Sequence, residues 1–81
     1  MRDLMRRIDS IADKEGARRV VRVEVWLGAL SHMSEPHVRD HFGQAAAGTR
    51  AEGAEIAVTL STDLHHPDAQ AIRLEGVEVE S

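Results

Sequence analysis

The stretch Val20-Val21-Arg22-Val23-Glu24-Val25-Trp26-Leu27 constrains the fold of this chain more than any other. Val21, Val23, Val25 and Leu27 fall on one side of an extended backbone, and Arg22, Glu24 and Trp26 on the other. β-branched residues in alternation with polar ones describe a strand with one buried and one wet face. A sheet that is apolar on one side only has to be covered from that side by other elements. The chain has 81 residues, so the cover comes from within a single small domain with a modest core.

The remaining elements follow from period and punctuation. Leu4, Ile8, Ile11 and Ala12 recur at helical spacing, and Gly16 stands where a helix commonly ends in a left-handed residue. Helix one is expected over about Arg2 to Glu15. Ser34-Glu35-Pro36 is a helix start: a hydroxyl cap, an acid at the positive dipole end and a proline in the first turn. Val38, Phe42 and Ala45 continue it, so helix two is expected over about Glu35 to Ala47. Gly48 to Ala54 is a glycine-bounded turn into a second strand carrying Ile56, Val58 and Leu60. A third strand holds Ile72 and Leu74 in one phase and Val77 and Val79 in the other, which predicts a β-bulge at Glu75-Gly76. The reading is an α/β (α+β) two-layer fold of order α-β-α-β-β, with two helices on one face of a three-stranded mixed sheet. Its first two strands are parallel across a right-handed helical crossover. The expected core is Leu4, Ile8, Ile11, Val21, Val23, Val25, Val38, Phe42, Ile56, Val58 and Leu60.

Composition narrows the function classes. Ten Lys and Arg stand against fourteen Asp and Glu, for a net charge of −4. The basic residues at Arg6-Arg7 and Arg18-Arg19 are interleaved with acids, and Trp26 and Phe42 are the only large aromatic side chains. That is a poor match to a nucleic-acid surface, which wants a basic stripe with stacking aromatics. No apolar run approaches the ~20 residues of a membrane helix. The charged amphipathic N-terminus does not have the pattern of a signal peptide, and there is no cysteine for a disulfide, so a cytoplasmic setting is expected. There is no nucleophile–base constellation, no phosphate-cradling glycine loop and no carboxylate pair with a pocket. The chain is expected not to be an enzyme.

The local spelling is more specific. Val23-Glu24-Val25-Trp26-Leu27-Gly28-Ala29-Leu30-Ser31, then Phe42, Gly48-Thr49 and Ala51-Glu52-Gly53-Ala54, resembles the HypA/HybF family of hydrogenase and urease nickel-incorporation proteins. Gly16-Ala17-Arg18-Arg19-Val20 and Val77-Glu78-Val79 fit the same pattern. The resemblance runs over most of residues 4–62 and resumes near 72–80. It implies a HypA-like domain over residues 1–81, an accessory role in metalloenzyme maturation of the NiFe hydrogenase type, a maturation partner protein on which it docks, and nickel as cargo. The family's zinc-binding lobe, built on two Cys-x-x-Cys pairs between the second and third strands, is replaced here by residues 62–71. The family's opening Met-His-Glu motif would fall several residues ahead of Met1, so either it is lost or Met1 is internal to a longer reading frame. The alternative expectation is a metal-independent protein-interaction module that retains the fold.

Topology gathers the metal-binding side chains. With parallel first and second strands, His32, His37, His65, His66 and the amino terminus all belong to the rim at the strands' carboxyl ends, where open α/β sheets commonly bind ligands. Imidazole suits nickel, zinc and copper. These four histidines are the candidate metal ligands. His37 and His41, four apart on helix two, share a face and could chelate together, although His41 by itself reads as a surface residue. Trp26 on the wet strand face is the candidate partner contact, and a homodimer is one way to cover it. With no thiolate in the chain, folding is expected to need no zinc. A strong chelator should leave the circular dichroism spectrum and the melting temperature unchanged, whereas a zinc-dependent fold would unfold.

Overall fold

The computed structural model describes residues 2–80. Its elements run α1 (Arg2–Lys14), β1 (Arg19–Leu27), α2 (Glu35–Ala46), β2 (Glu55–Leu60) and β3 (Ile72–Glu80). The helix boundaries have local causes. At the end of α1 the Ala17 amide donates to the Ala12 carbonyl (2.9 Å) and the Gly16 amide to Asp13 (3.1 Å), with Gly16 at φ 63°. This pair of bonds around a left-handed glycine satisfies carbonyls that the helix would leave open. At the start of α2 the Ser34 hydroxyl accepts from the His37 amide at 3.3 Å, with Pro36 in the first turn. No described helix is long and apolar enough to cross a membrane.

The sheet order is β2-β1-β3, so β1 lies in the centre. It pairs parallel with β2, setting Val23 against Ile56, Val25 against Val58 and Leu27 against Leu60. It pairs antiparallel with β3, setting Val23 against Val77, Val25 against Leu74 and Leu27 against Ile72. The core lies between one sheet face and both helices: Leu4, Ile8 and Ala12 of α1, Val38, Phe42 and Ala46 of α2, and Val20, Val23, Val25, Leu27 and Ile56 of the strands are buried in one cluster. The expected architecture and element order are therefore observed.

Two irregularities set the phase of the strands. Between Glu24–Gly76 and Val25–Leu74 the pairing slips by one, leaving Glu75 as the extra residue on β3. This is the expected bulge, and it lets Ile72, Leu74, Val77 and Val79 all pack against the core. A second slip lies between Val20–Val79 and Arg22–Glu78, with Val21 as the extra residue on β1. An extra residue reverses the side-chain phase on one side of it. Val20, not the expected Val21, is consequently buried, and Val21 is half-buried. Two other core expectations are corrected. Ile11 is half-buried at the flank of the α1 stripe, with Ala12 taking the central position. Leu60 is 55% exposed, because it ends an edge strand with no strand beyond it.

The connection between β2 and β3 is held by backbone. The Gly28 amide donates to Ala71 O (2.9 Å), the Leu30 amide to Ala69 O (2.7 Å) and the Ser61 amide to Leu27 O (2.9 Å). Residues 61–71 thus lie against the end of β1, with Ala69 buried. Gly28 makes that approach feasible, since a Cβ there would overlap the Ala69 carbonyl and come within 2.6 Å of Asp68 O.

Two outcomes are expected. Phe42→Ala, which removes the largest buried side chain of α2, should lower unfolding free energy by about 3–5 kcal/mol in urea denaturation, a large share of a small domain's stability. Gly28→Ala should cost about 1–3 kcal/mol through overpacking, and it should raise amide exchange at Leu30, Ala69 and Ala71 more than at Val23 or Val25.

Candidate functional site

The carboxyl ends of β1 and β2 carry the histidines. β1 leads directly into the segment holding His32 and then into α2, whose first turn holds His37. β2 leads into the connection holding His65 and His66, and the hydrogen bonds of Gly28 and Leu30 fasten that connection to the end of β1. α1 runs back alongside, since its carboxyl end feeds β1, so its first turn lies at the same edge. There Asp3, Leu4 and Arg7 line a cleft of about 220 Å³ with Ile72. The amino group of Met1, expected at this rim, lies outside the described residues.

Sharing a rim does not bring the four expected ligands around one point. Among the described residues, no three of the His, Cys, Asp and Glu side chains are grouped so as to hold a metal ion. His32 is exposed and sits at φ 60°, a left-handed conformation that histidine adopts more readily than most residues. His65 is exposed, and its amide donates to Asp63 Oδ1 at 2.9 Å in a side-chain-capped turn. The His66 ring is turned inward: Nδ1 accepts from the Asp68 amide at 2.9 Å, and the ring packs on Trp26 with centroids 4.9 Å apart. His37 pairs instead with His41, their Nε2 atoms 2.8 Å apart and their rings stacked at 4.5 Å.

Trp26 is half-buried on the sheet face opposite the helices. Arg73, its register partner on β3, lays its guanidinium over the indole at 4.5 Å. That guanidinium also reaches Asp68 Oδ2 at 3.0 Å and Glu75 Oε1 at 3.3 Å. Its hydrogen bonds to Asp68 and then Glu75 hold the Arg73 pKa above its ordinary value, outweighing partial desolvation. Arg22, on the same face, lies 3.2 Å from Glu55 and 3.5 Å from Glu24. Desolvation lowers its pKa, but the attraction of Glu55 and the bonds to both acids leave it raised. Both arginines remain charged throughout the working pH range, so they act as fixed cations. The cover expected for Trp26 is thus partly supplied by His66 and Arg73 of its own chain. Strand phase was the signal for Arg73, which alternates with Ile72 and Leu74 onto the Trp26 face.

Arg50 was not singled out by its sequence context. Its guanidinium reaches Asp9 (3.0 Å), Asp13 (2.7 Å) and the Ala17 carbonyl (3.0 Å), joining the turn before β2 to the second half of α1. Arg39 likewise joins α2 to β2, donating to Ile56 O at 2.7 Å while paired with Glu35 at 2.8 Å. Both are tertiary ties between segments far apart in sequence.

No family model matches the chain. Among curated proteins, a hydrogenase maturation factor HypA from Chlorobium limicola is 43% identical over 51 residues, which is 63% of this chain and 44% of that protein. Two further HypA proteins, from Thermococcus gammatolerans and Thermococcus kodakarensis, are each 45% identical over 53 residues, covering 65% of this chain and 38% of theirs. The chain therefore spans roughly two fifths of the length of the curated relatives it matches. Over 63–65% of its own length the chain is thus similar to proteins named hydrogenase maturation factor HypA, at 43–45% identity.

Proposed function

We propose that this domain is an accessory protein of hydrogenase maturation, one that docks on a protein of the maturation apparatus and handles nickel transiently. The observation that carries this reading is the 43–45% identity to three proteins named hydrogenase maturation factor HypA. The fold agrees with it. The rim at the carboxyl ends of β1 and β2 gathers His32, His37, His65 and His66 on segments tied together by backbone bonds, and imidazole nitrogen is a suitable donor for Ni(II). Residues 62–71 stand where the family carries its zinc lobe, so this domain acts without a resident zinc.

The donors at the rim are spread out, and this suits a carrier. A closed ligand cage would hold nickel against transfer, whereas a few exposed imidazoles on a rim can pass it to a partner that completes the coordination sphere. Leu30, Leu60 and Leu64, at 38%, 55% and 57% exposure, lie at the same end of the sheet and supply apolar area for docking. Trp26 is a second contact on the opposite sheet face, where docking would displace or engage Arg73.

The test is an in vitro maturation assay. Immature NiFe hydrogenase from the organism that encodes this chain is incubated with limiting Ni(II), with and without the domain, and cross-linked in parallel. Faster appearance of nickel-dependent hydrogenase activity, together with cross-links to the immature enzyme or its maturation proteins, is the expected result. Cross-linking without any effect on nickel incorporation would favour a metal-independent interaction module. The absence of both would overturn the reading.

A further inference from the structure

We infer that His37 and His41 form a two-imidazole site for a divalent late transition-metal ion, Cu(II) or Ni(II). The site shares His37 with the dispersed rim and adds His41, which the rim leaves out. The two side chains lie four apart on α2, and so on one face of the helix. Both are exposed, and their Nε2 atoms approach to 2.8 Å with the rings 18° from parallel. One ring therefore donates Nε2–H to the lone pair of the other. The same two nitrogens become a pair of donors when each ring carries its proton on Nδ1 instead. That change is a proton shift through solvent, with no net proton lost from either neutral ring.

The separation selects the ion. With metal–nitrogen bonds of about 2.0–2.1 Å, nitrogens 2.8 Å apart subtend about 85–90° at the metal. A right angle is the cis angle of square-planar and tetragonal coordination, the geometry of Cu(II) and Ni(II). Tetrahedral Zn(II) would need the nitrogens to spread to about 3.3–3.4 Å at the same bond lengths. No third His, Cys, Asp or Glu among the described residues joins the pair. Water or an incoming ligand then fills the other positions, and the ion stays exchangeable. The helix keeps the two rings on one face, and Val38 and Phe42, the next residues along, are buried in the core, which holds that face toward solvent.

This inference goes beyond the maturation reading and does not depend on a hydrogenase client. Titration calorimetry and visible absorption with Cu(II), Ni(II) and Zn(II) test it on the whole chain. Compared are the unaltered protein, His37→Ala, His41→Ala, and a His65→Ala/His66→Ala control. The expected result is one Cu(II) or Ni(II) per chain with imidazole-type d–d bands and weaker Zn(II). Each single change in the pair should cost about tenfold or more in affinity, because linked donors bind better than either one alone, and the control should bind as the unaltered protein does. Metal should also raise the melting temperature of the unaltered chain and leave that of a His37→Ala/His41→Ala variant unmoved. Unchanged affinity in that double variant, or loss confined to the His65/His66 control, would overturn the assignment. So would a preference for Zn(II) over Cu(II).

Discussion

Pairing of β1 along both of its edges is the constraint on which the rest of the molecule depends. Parallel bonds to β2 and antiparallel bonds to β3 satisfy the strand's backbone, while Val23, Val25 and Leu27 point together under α1 and α2. Both helices bury their apolar stripes on this one strand and its neighbours, so the sheet and its cover form together or not at all. A chain of this size has no second core to fall back on. The polar site inherits its position from the same strand, because its loops leave from the carboxyl end of β1 or are bonded to it.

The sheet face without helices is finished by charge and by one aromatic. Arg22 bridges toward Glu55 and Glu24, and Arg73 caps Trp26 while held by Asp68 and Glu75. Exposed ion pairs contribute little each. Their larger effect here is on geometry: the Arg73–Asp68 and Trp26–His66 contacts hold the β2–β3 connection down on the outer face while Gly28 receives it at the strand end. One histidine of the rim is thereby turned into the body of the protein, and the others are left to solvent.

How much of the site was legible differs from residue to residue. Alternation and crossover topology were enough to place His32, His37, His65 and His66 at one edge, since the direction of each element follows from its neighbours. Whether imidazoles converge depends on rotamers and loop paths, which have no period to read. His41 shows the difference. Its spacing from His37 announced a shared helix face, but only the packed helix shows the two nitrogens at hydrogen-bonding distance. His66 shows the converse, for nothing adjacent to it in sequence indicates that its ring packs against Trp26, forty positions earlier.

The sequence by itself determined the element order, the Gly16 and Ser34 helix ends, the bulge at Glu75 and the apolar face of β1. These are local facts, written in spacing and in residues with restricted backbone preferences. Tertiary structure alone decided that Val20 replaces Val21 in the core, that Leu60 is left uncovered, that Arg39 ties α2 to the Ile56 carbonyl, and that Arg50 ties the turn before β2 to α1 and the Ala17 carbonyl. It also decided that Gly28 is needed for close approach and not for a turn. Each of these depends on which segments meet across long sequence separations. The bulge at Val21 illustrates the reason: uninterrupted alternation reads as one continuous face, and only pairing with β3, two residues against one, reverses the phase of the strand's first residues.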